Sequence, residues 1–242
     1  MDFRKIPNVY INCVVFGLLE SGVNVLLSKR ELHMYDKKYP DINDWVLLGD
    51  LVLKSEQLDV SADRVFRDYT TLSNVYKKQF RTFGNPERVK DEKDLLWLRS
   101  KGIDTRIFSV IYYFLIPSSK IKVNDSDMRW FPIDQLPQLG FDHELVIKRS
   151  FDDLQRKVLN EPAIFEFLDD KFTLNELHFA YESVLGIEID NRNFRKKALN
   201  KTYIISLDEK KVTGNSKKPS NLYMFSKDIY DKIAPQNHII NI

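Results

Sequence analysis

The hydrophobic positions in the first part of the chain follow two spacings, which predict several strands and one long helix. Val9–Phe16 and Val23–Lys29 are apolar and rich in β-branched residues, and the Leu-Glu-Ser-Gly segment at 19–22 predicts a hairpin between them. Trp45–Leu53 is a third apolar run. From Glu56 to Leu72 the spacing becomes helical. The apolar stripe of this predicted helix consists of Leu58, Ala62, Val65, Phe66 and Tyr69.

Two further runs extend the predicted sheet. Tyr76–Phe83 and Ile107–Ile116 predict strands, and the second run is too continuous to face solvent on either side. Arg129–Ile133 is short and aromatic, and Pro132 and Pro137 indicate a loop that leads into the next helix. Strands mixed with a long helix predict an α/β or α+β layered fold of about 140 residues.

Two polar, charged stretches interrupt this pattern. Residues 31–44 and 89–105 show no sustained strand alternation, so we interpret both as loops or surface excursions. The second stretch can contain a short helix around Asp91–Ser100. The pattern does not define a role for either stretch.

The second part of the chain has the signals of a helix-turn-helix. After a predicted helix over Asp142–Val158, Thr173 and Glu176 have the spacing of a capping box that opens another helix. Gly186 can supply the left-handed residue that ends it. Asp190 can then cap a second, basic helix over residues 191–199.

Two predicted strands follow this basic helix. Tyr203–Leu207 and Leu222–Phe225 flank a polar loop, residues 208–220, which has the form of a wing. Residues 151–190 carry ten acidic and three basic side chains, whereas residues 191–218 carry nine basic and two acidic ones. A basic helix beside a basic hairpin loop is typical of a surface that contacts DNA phosphates. A solvated charged face is the alternative interpretation.

Composition narrows the possible classes of protein. The 242 residues carry a formal net charge of +2 and are 43% hydrophobic, so the chain can bury a sizeable core. Cys13 is the single cysteine, which excludes an intrachain disulfide and a cysteine-rich zinc site. The histidines have no metal-ligand spacing, and no apolar run reaches the length of a membrane helix. We therefore expect a cytoplasmic protein with no metal and no cofactor.

The helix that begins near Glu56 carries a degenerate motif. The region resembles a Nudix box, G-x5-E-x7-R-E-U-x-E-E-x-G-U, in which U is an aliphatic residue. Asp50, Glu56 and Arg64 stand at the first glycine, first glutamate and arginine positions. Val65 and Tyr69 replace glutamates, Asp68 replaces a third, and Thr71 replaces the glycine. Such a box needs several carboxylates to hold magnesium, so the resemblance implies a Nudix-like domain that has lost hydrolysis.

The order of the surrounding segments resembles the Nudix-related transcriptional regulators, a bacterial family that joins a Nudix-like domain to a winged helix. The segments that carry the resemblance are Phe83–Arg88, Ser109–Tyr113, Trp130–Pro137 and Phe141–His143. The resemblance implies an α+β chain: a Nudix-like α/β/α sandwich with a mixed sheet in residues 1–150, and a winged helix-turn-helix in residues 151–242. It also implies a homodimer that binds double-stranded operator DNA and responds to a small molecule.

The candidate DNA-binding residues lie on the basic helix and the wing. Arg192, Asn193 and Lys196 are the best candidates for base edges, because the N-terminal part of a recognition helix enters the major groove. The complete predicted set is Asn191, Arg192, Asn193, Arg195, Lys196, Lys197, Lys210, Lys211, Lys217 and Lys218.

The resemblance also supplies candidates for the effector site, although each has an ordinary structural role open to it. They are Asn12, Arg30, Trp45, Asp50, Arg81, Arg106, Asp142 and His143. Family members respond to ADP-ribose-like nucleotides or to pentoses such as arabinose or xylose. Because the box is poorly suited to magnesium, we expect a pentose-responsive repressor of sugar-utilisation genes. The alternative is an active Nudix hydrolase of ADP-ribose or a related nucleotide sugar.

Overall fold

The computed structural model describes residues 5–89, 91–104, 106–120, 127–212 and 219–233. The chain divides into two compact units. The first consists of Met1–Gly17, Asn24–Leu115 and Lys122–Phe151, and the second of Leu18–Val23, Ile116–Ile121 and Asp152–Ile242. Across the described ranges, no helix combines the length and apolar character needed to cross a bilayer.

The first unit begins with the predicted hairpin. Strands β1 (Lys5–Leu19) and β2 (Gly22–Leu32) are neighbours in the sheet, with Gly22 at a φ of +98°. The third apolar run is two strands and not one: β3 (Ile42–Val46) pairs with β2, and β4 (Leu48–Leu53) pairs with β1. The break falls at Leu47, whose backbone N–H leaves the ladder and donates to a histidine ring. The polar stretch at 31–44 is therefore strand at both ends.

The predicted helix and the later strands are observed with small changes in their ends. Helix α1 (Leu58–Thr70) precedes β5 (Tyr76–Phe83), and the second polar stretch contains helix α2 (Glu92–Ser100). The sheet then gains β6 (Phe108–Ile116) and β7 (Met128–Pro132), and helix α3 (His143–Asn160) follows. The short helix expected within the second polar stretch is confirmed, and the side chain of Asp91 caps it.

The sheet of the first unit has the order β3-β2-β1-β6-β5, with β4 paired to β1 and β7 paired to β2. The Phe66 ring of α1 stacks on Phe114 of β6 at 4.2 Å, and the Phe151 ring of α3 contacts Phe16 of β1 at 5.8 Å. Phe16 also contacts Tyr113, which points to the opposite face from its neighbour Phe114. Helices therefore cover both faces, and the predicted α+β class with a mixed sheet is confirmed.

The second unit has the predicted helix-turn-helix. Its elements are β8 (Phe172–Thr173), α4 (Leu174–Leu185), α5 (Asn191–Leu199), β9 (Ile204–Lys211), β10 (Ser220–Phe225) and α6 (Lys227–Ile233). The capping box at Thr173 and the left-handed Gly186, at a φ of +67°, are both present. The sheet order is β8-β10-β9, so the two predicted strands pair antiparallel. Strand β8 and helix α6 are too short for the sequence pattern to predict.

Candidate functional site

A cavity of about 560 Å³ lies within the first unit and is lined by residues of both the sheet and the helices. Strands β1, β2, β4 and β6, helices α1 and α2, and the start of α3 all contribute to its walls. The wall is polar as well as apolar, and three cationic side chains and two carboxylates reach it. The charged residues are Lys29, Arg88, Lys101, Asp50 and Asp68. A concave site of this size, with a few convergent polar groups, is typical of a small-molecule site.

The cavity brings together some of the candidate effector residues and leaves others outside. Asn12, Asp50 and His143 line it. The Trp45 ring instead packs edge-on against Phe131, and Arg81 is exposed on β5. The remaining three lie outside this cavity: Arg30 and Asp142 are in ion pairs, and Arg106 donates to the carbonyl oxygen of Gly84. Their contact with an effector stays a prediction.

His143 presents a defined hydrogen-bonding edge to the cavity. The backbone N–H of Leu47 donates to Nδ1 of His143 at 3.0 Å, so Nδ1 is the acceptor and the ring proton lies on Nε2. Burial lowers the pKa of His143 well below its usual range, and the nearby positive charges of Arg88 and Arg30 lower it further. The ring is therefore a neutral donor that stays neutral at physiological pH.

Arg30 holds the inserted helix α2 against the sheet. Its guanidinium is 1% exposed and donates to both carboxylate oxygens of Asp44 and to Asp94 of α2, each at 2.7 Å. The same guanidinium lies 4.9 Å from the ring centroid of Phe141. These contacts indicate a structural role for Arg30, because they hold α2, which brings Trp97 and the following Lys101 to the cavity.

The degenerate box forms an ion-pair cluster at the cavity edge. Arg64 donates to Glu56 at 2.8 Å and to Asp50 at 3.1 Å, and lies 3.6 Å from Asp68. Val65, at a glutamate position of the box, is 1% exposed. Among the described residues, no group of three or more His, Cys, Asp or Glu side chains is placed to hold a metal ion. The carboxylates that remain are therefore neutralised by arginine.

Several residues of the cavity wall were missed by the sequence interpretation. They are Tyr10, Lys29, Tyr69, Arg88, Trp97, Lys101, Ser109 and Phe141. The side chains of Tyr10 and Tyr69 both donate to the carbonyl oxygen of Gly49. Tyr69 stands at a glutamate position of the box, and this replacement is the one signal that could have placed it in the site. The others come from segments far apart in sequence.

On the basic helix α5, some candidate side chains are hydrogen-bonded to neighbouring residues and others are not. Arg195 donates to Asn191 at 2.8 Å and to Asn175 of α4 at 2.6 Å. The side chains of four other candidates are exposed and make no hydrogen bond or ion pair to another described residue. These four are Arg192, Asn193, Lys196 and Lys197. On the inner face of the helix, Phe194 packs edge-on against His178 and Tyr181.

Ion pairs fix the base of the wing. Lys211 of β9 lies 3.1 Å from Glu176, which also completes the capping box of α4, and Glu209 accepts from Lys171 at 2.7 Å. Lys210 is exposed on the same strand. Two of the predicted wing residues, Lys217 and Lys218, lie outside the described residues. The N-terminal end of α4 thus contacts both the basic helix, through Asn175, and the lysine-bearing end of β9, through Glu176.

A comparison with protein families finds a match within the second unit. Residues 164–225 match the model of the NrtR DNA-binding winged helix domain. A curated relative, the ADPR responsive transcriptional repressor NtrR of Acinetobacter baylyi, is 26% identical over 239 residues. That match covers 95% of this chain and 86% of the relative.

Solved structures show similarity over most of the chain. NrtR of Shewanella oneidensis, crystallised in complex with a 27mer DNA, is 25% identical with a TM-score of 0.72, over 92% of this chain and 95% of that one. A MutT/nudix family protein from Enterococcus faecalis shares the fold at 21% identity, with a TM-score of 0.67 over 92% of this chain and 89% of that one. The predicted resemblance to Nudix-related transcriptional regulators is confirmed, whereas a response to pentoses receives no support.

Proposed function

We propose that this Nudix-related transcriptional regulator is a repressor that binds operator DNA through α5 and the wing, and ADP-ribose through the cavity of its first unit. The observation that carries the proposal is the combination of a polar, concave cavity with a winged helix in a chain similar to an ADPR responsive repressor over nearly its full length. The proposal replaces the pentose that the degenerate box led us to expect.

The charges of the cavity favour a nucleotide over a free sugar. Lys29, Arg88 and Lys101 reach the wall, where Lys29 pairs with Glu31 and Arg88 with Asp142, and Trp97 and Phe141 bring aromatic surface. A diphosphate can pair with the cations, and a base or ribose ring can pack on the aromatic side chains. The loss of glutamates from the box removes ligands for magnesium, but it removes none of these groups. The expectation of a pentose treated hydrolysis and nucleotide binding as one property.

We also propose that the first unit binds ADP-ribose without hydrolysing it. Arg64 donates hydrogen bonds to the carboxylates of Glu56 and Asp50, and Val65 offers no oxygen ligand. A hard divalent cation would therefore have few ligands at the box. The test is incubation of the protein with ADP-ribose and magnesium, followed by chromatography of the nucleotide. Turnover that disappears in Asp68→Ala would make the protein a hydrolase and overturn this part of the proposal.

The effector is tested by isothermal titration calorimetry of the full chain with ADP-ribose, arabinose and xylose. We expect saturable binding of ADP-ribose and none of either pentose. In parallel, the affinity for operator DNA, selected from a random duplex pool, is measured with and without ADP-ribose. The expected change is about 5–150-fold, the usual range of coupling between two sites. Pentose binding without ADP-ribose binding would restore the original expectation.

The DNA interface is tested by comparing two exposed cations. Arg192 lies in the first turn of α5, so Arg192→Ala should weaken operator binding by about 1–3 kcal/mol and leave random duplex nearly unaffected. Lys210→Ala should weaken both duplexes alike and reduce the slope of log affinity against log salt by about one. Lys54→Ala on the first unit is the control, because that charge lies outside the proposed interface. Equal losses on both duplexes for Arg192→Ala would mean that α5 does not read bases.

A homodimer remains part of the proposal. A two-fold dimer that carries one winged helix per subunit should select an inverted repeat with half-sites about 34–36 Å apart or a multiple of this distance. Light scattering of the protein in solution and the spacing of the selected sites test this together. A monomer that selects single, asymmetric sites would contradict it.

A further inference from the structure

Three polar atoms of the cavity wall have no hydrogen-bonding partner among the described residues. They are Nε of Arg88 and Oγ of Ser109, both of which are buried atoms, and Nε2 of His143, the ring nitrogen opposite the bonded Nδ1. Their residues are 8%, 1% and 4% exposed, and all three line the cavity. Burial of an unpaired polar group is costly, and most such groups in folded proteins are satisfied. Two such buried atoms beside the ring donor of His143, all in residues of one cavity wall, indicate a site built for a ligand.

The hydrogen bonds around these residues place them next to one another. Nη1 of Arg88 donates to the carbonyl oxygen of Phe83 at 3.0 Å, and Phe83 pairs with Ser109 in the β5–β6 ladder. Nη2 of Arg88 donates to Asp142 at 2.6 Å, and Asp142 directly precedes His143. The charge of Arg88 contributes to the lowered pKa of His143, as expected for close neighbours. A loop residue, a strand residue and the first residue of α3 therefore converge on one part of the cavity.

We propose that Arg88, Ser109 and His143 form a donor site that binds a phosphate oxygen of the effector. The proposal rests on ADP-ribose being that effector. The Nε–H of Arg88 and the Nε2–H of His143 can only donate, and the hydroxyl of Ser109 can donate as well. A phosphate oxygen accepts from all three groups, and its negative charge strengthens the bond from the guanidinium, whereas a sugar hydroxyl would also have to donate its proton, to Ser109. Asp142, the neighbouring carboxylate, is already bound to Arg88.

Ser109 is the residue that tests the site, because Arg88 also holds the backbone of Phe83 and the carboxylate of Asp142. Ser109→Ala removes one oxygen and keeps the strand. Ser150→Ala is a matched control, since Oγ of Ser150 is also buried and without a partner among the described residues, but Ser150 does not line the cavity. Both variants should have a melting temperature equal to or above that of the wild type without ligand, because each loses an unpaired buried hydroxyl.

Only Ser109→Ala should lose affinity for ADP-ribose, by roughly 10–100-fold, as expected for the loss of one hydrogen bond to a charged group. Calorimetry on the full chain measures this. The ³¹P resonances of bound ADP-ribose should move in Ser109→Ala relative to the wild type and stay in place in Ser150→Ala. Together these results would support a phosphate-binding site at Ser109.

The remaining outcomes separate the two proposals. Wild-type protein that does not bind ADP-ribose would overturn the proposed function. Wild-type binding with unchanged affinity in Ser109→Ala would overturn the donor site alone. Weaker ADP-ribose binding in Ser109→Ala with unchanged ³¹P resonances would show that the ligand atom contacted by Ser109 is not a phosphate oxygen, and would overturn the phosphate assignment. A lower melting temperature of ligand-free Ser109→Ala, or an equal loss of affinity in Ser150→Ala, would mean that the serine acts through the fold and would also overturn the site.

Discussion

The ion pair between Arg30 and Asp94 should hold the inserted helix α2 in place, and Asp94→Ala tests this. Asp94 is 5% exposed and accepts two hydrogen bonds, from Arg30 at 2.7 Å and from the backbone N–H of Phe141 at 3.0 Å. Removal of Asp94 leaves Arg30 paired with Asp44, so the guanidinium does not become an isolated buried charge.

The expected cost follows from these contacts. A hydrogen bond to a charged group contributes about 1.5–3 kcal/mol, and complete disruption of a buried ion pair costs about 3–5 kcal/mol. Burial raises the pKa of Asp94 by more than Arg30 lowers it, so part of the attraction offsets desolvation of the carboxylate. We therefore expect Asp94→Ala to lower the free energy of unfolding by about 2–3 kcal/mol, and Asp94→Asn by less.

The assay is urea denaturation followed by tryptophan fluorescence. All three tryptophans, Trp45, Trp97 and Trp130, lie in the first unit, so their fluorescence follows unfolding of the unit that contains the pair. Arg99→Ala is the control on the same helix: its pair with Asp104 is exposed, and the change should stay within about 0.5 kcal/mol. A loss below 0.5 kcal/mol in Asp94→Ala would refute the idea that this pair anchors α2.

Three further predictions concern the backbone and the titrating groups. Thr71 has a φ of +59° at the glycine position of the box, so Thr71→Gly should raise the free energy of unfolding of the first unit by about 0.5–1 kcal/mol in urea denaturation. Asn74→Gly, at a φ of +54°, should raise it by less, because asparagine tolerates this conformation better than threonine. An equal gain in both variants would contradict this reasoning. Burial alone would raise the pKa of Glu56, but hydrogen bonds from Arg64 and Ser61 hold it below its usual value. The stability that Glu56 contributes is therefore present above its unfolded pKa of about 4.5 and is lost as the pH falls through its folded pKa. Below about pH 5, the urea midpoint should decrease more steeply in the wild type than in Glu56→Gln. Because the pKa of His143 lies well below its usual range, calorimetric affinity for ADP-ribose should be constant from about pH 6 to 8, and a transition near pH 6.5 would mean that the ring gains a proton.

Local signals in the sequence determined most of the second unit. The capping box of Thr173 with Glu176, the left-handed Gly186 and the cap of Asp190 each depend on residues within a few positions of one another. Such short-range hydrogen bonds act wherever the segment is placed, so the pattern predicts both helices and the turn between them. Most strands of the first unit were predicted from hydrophobic pattern, which is also local, because long apolar runs have few alternatives to a buried sheet.

The walls of the cavity were decided by tertiary structure. The family resemblance made Arg30 a candidate for the effector, and the structure adds that it lies in an ion cluster with Asp94, a residue 64 positions later. Burial of an arginine requires carboxylates that only the folded chain supplies. The split of the run Trp45–Leu53 has a similar origin, since Leu47 leaves the sheet to bind the ring of His143.

The sequence named His143 as an effector candidate and placed Arg88 and Ser109 in segments of the family resemblance, but it did not bring the three residues together. Arg88, Ser109 and His143 lie on separate segments, and a serine that begins an apolar strand looks like any other polar residue at the end of an element. They converge because β5 pairs with β6 and because Arg88 binds Asp142. Local pattern thus determined the elements and the family resemblance, while contacts between distant segments decided which polar groups remain unpaired beside the cavity.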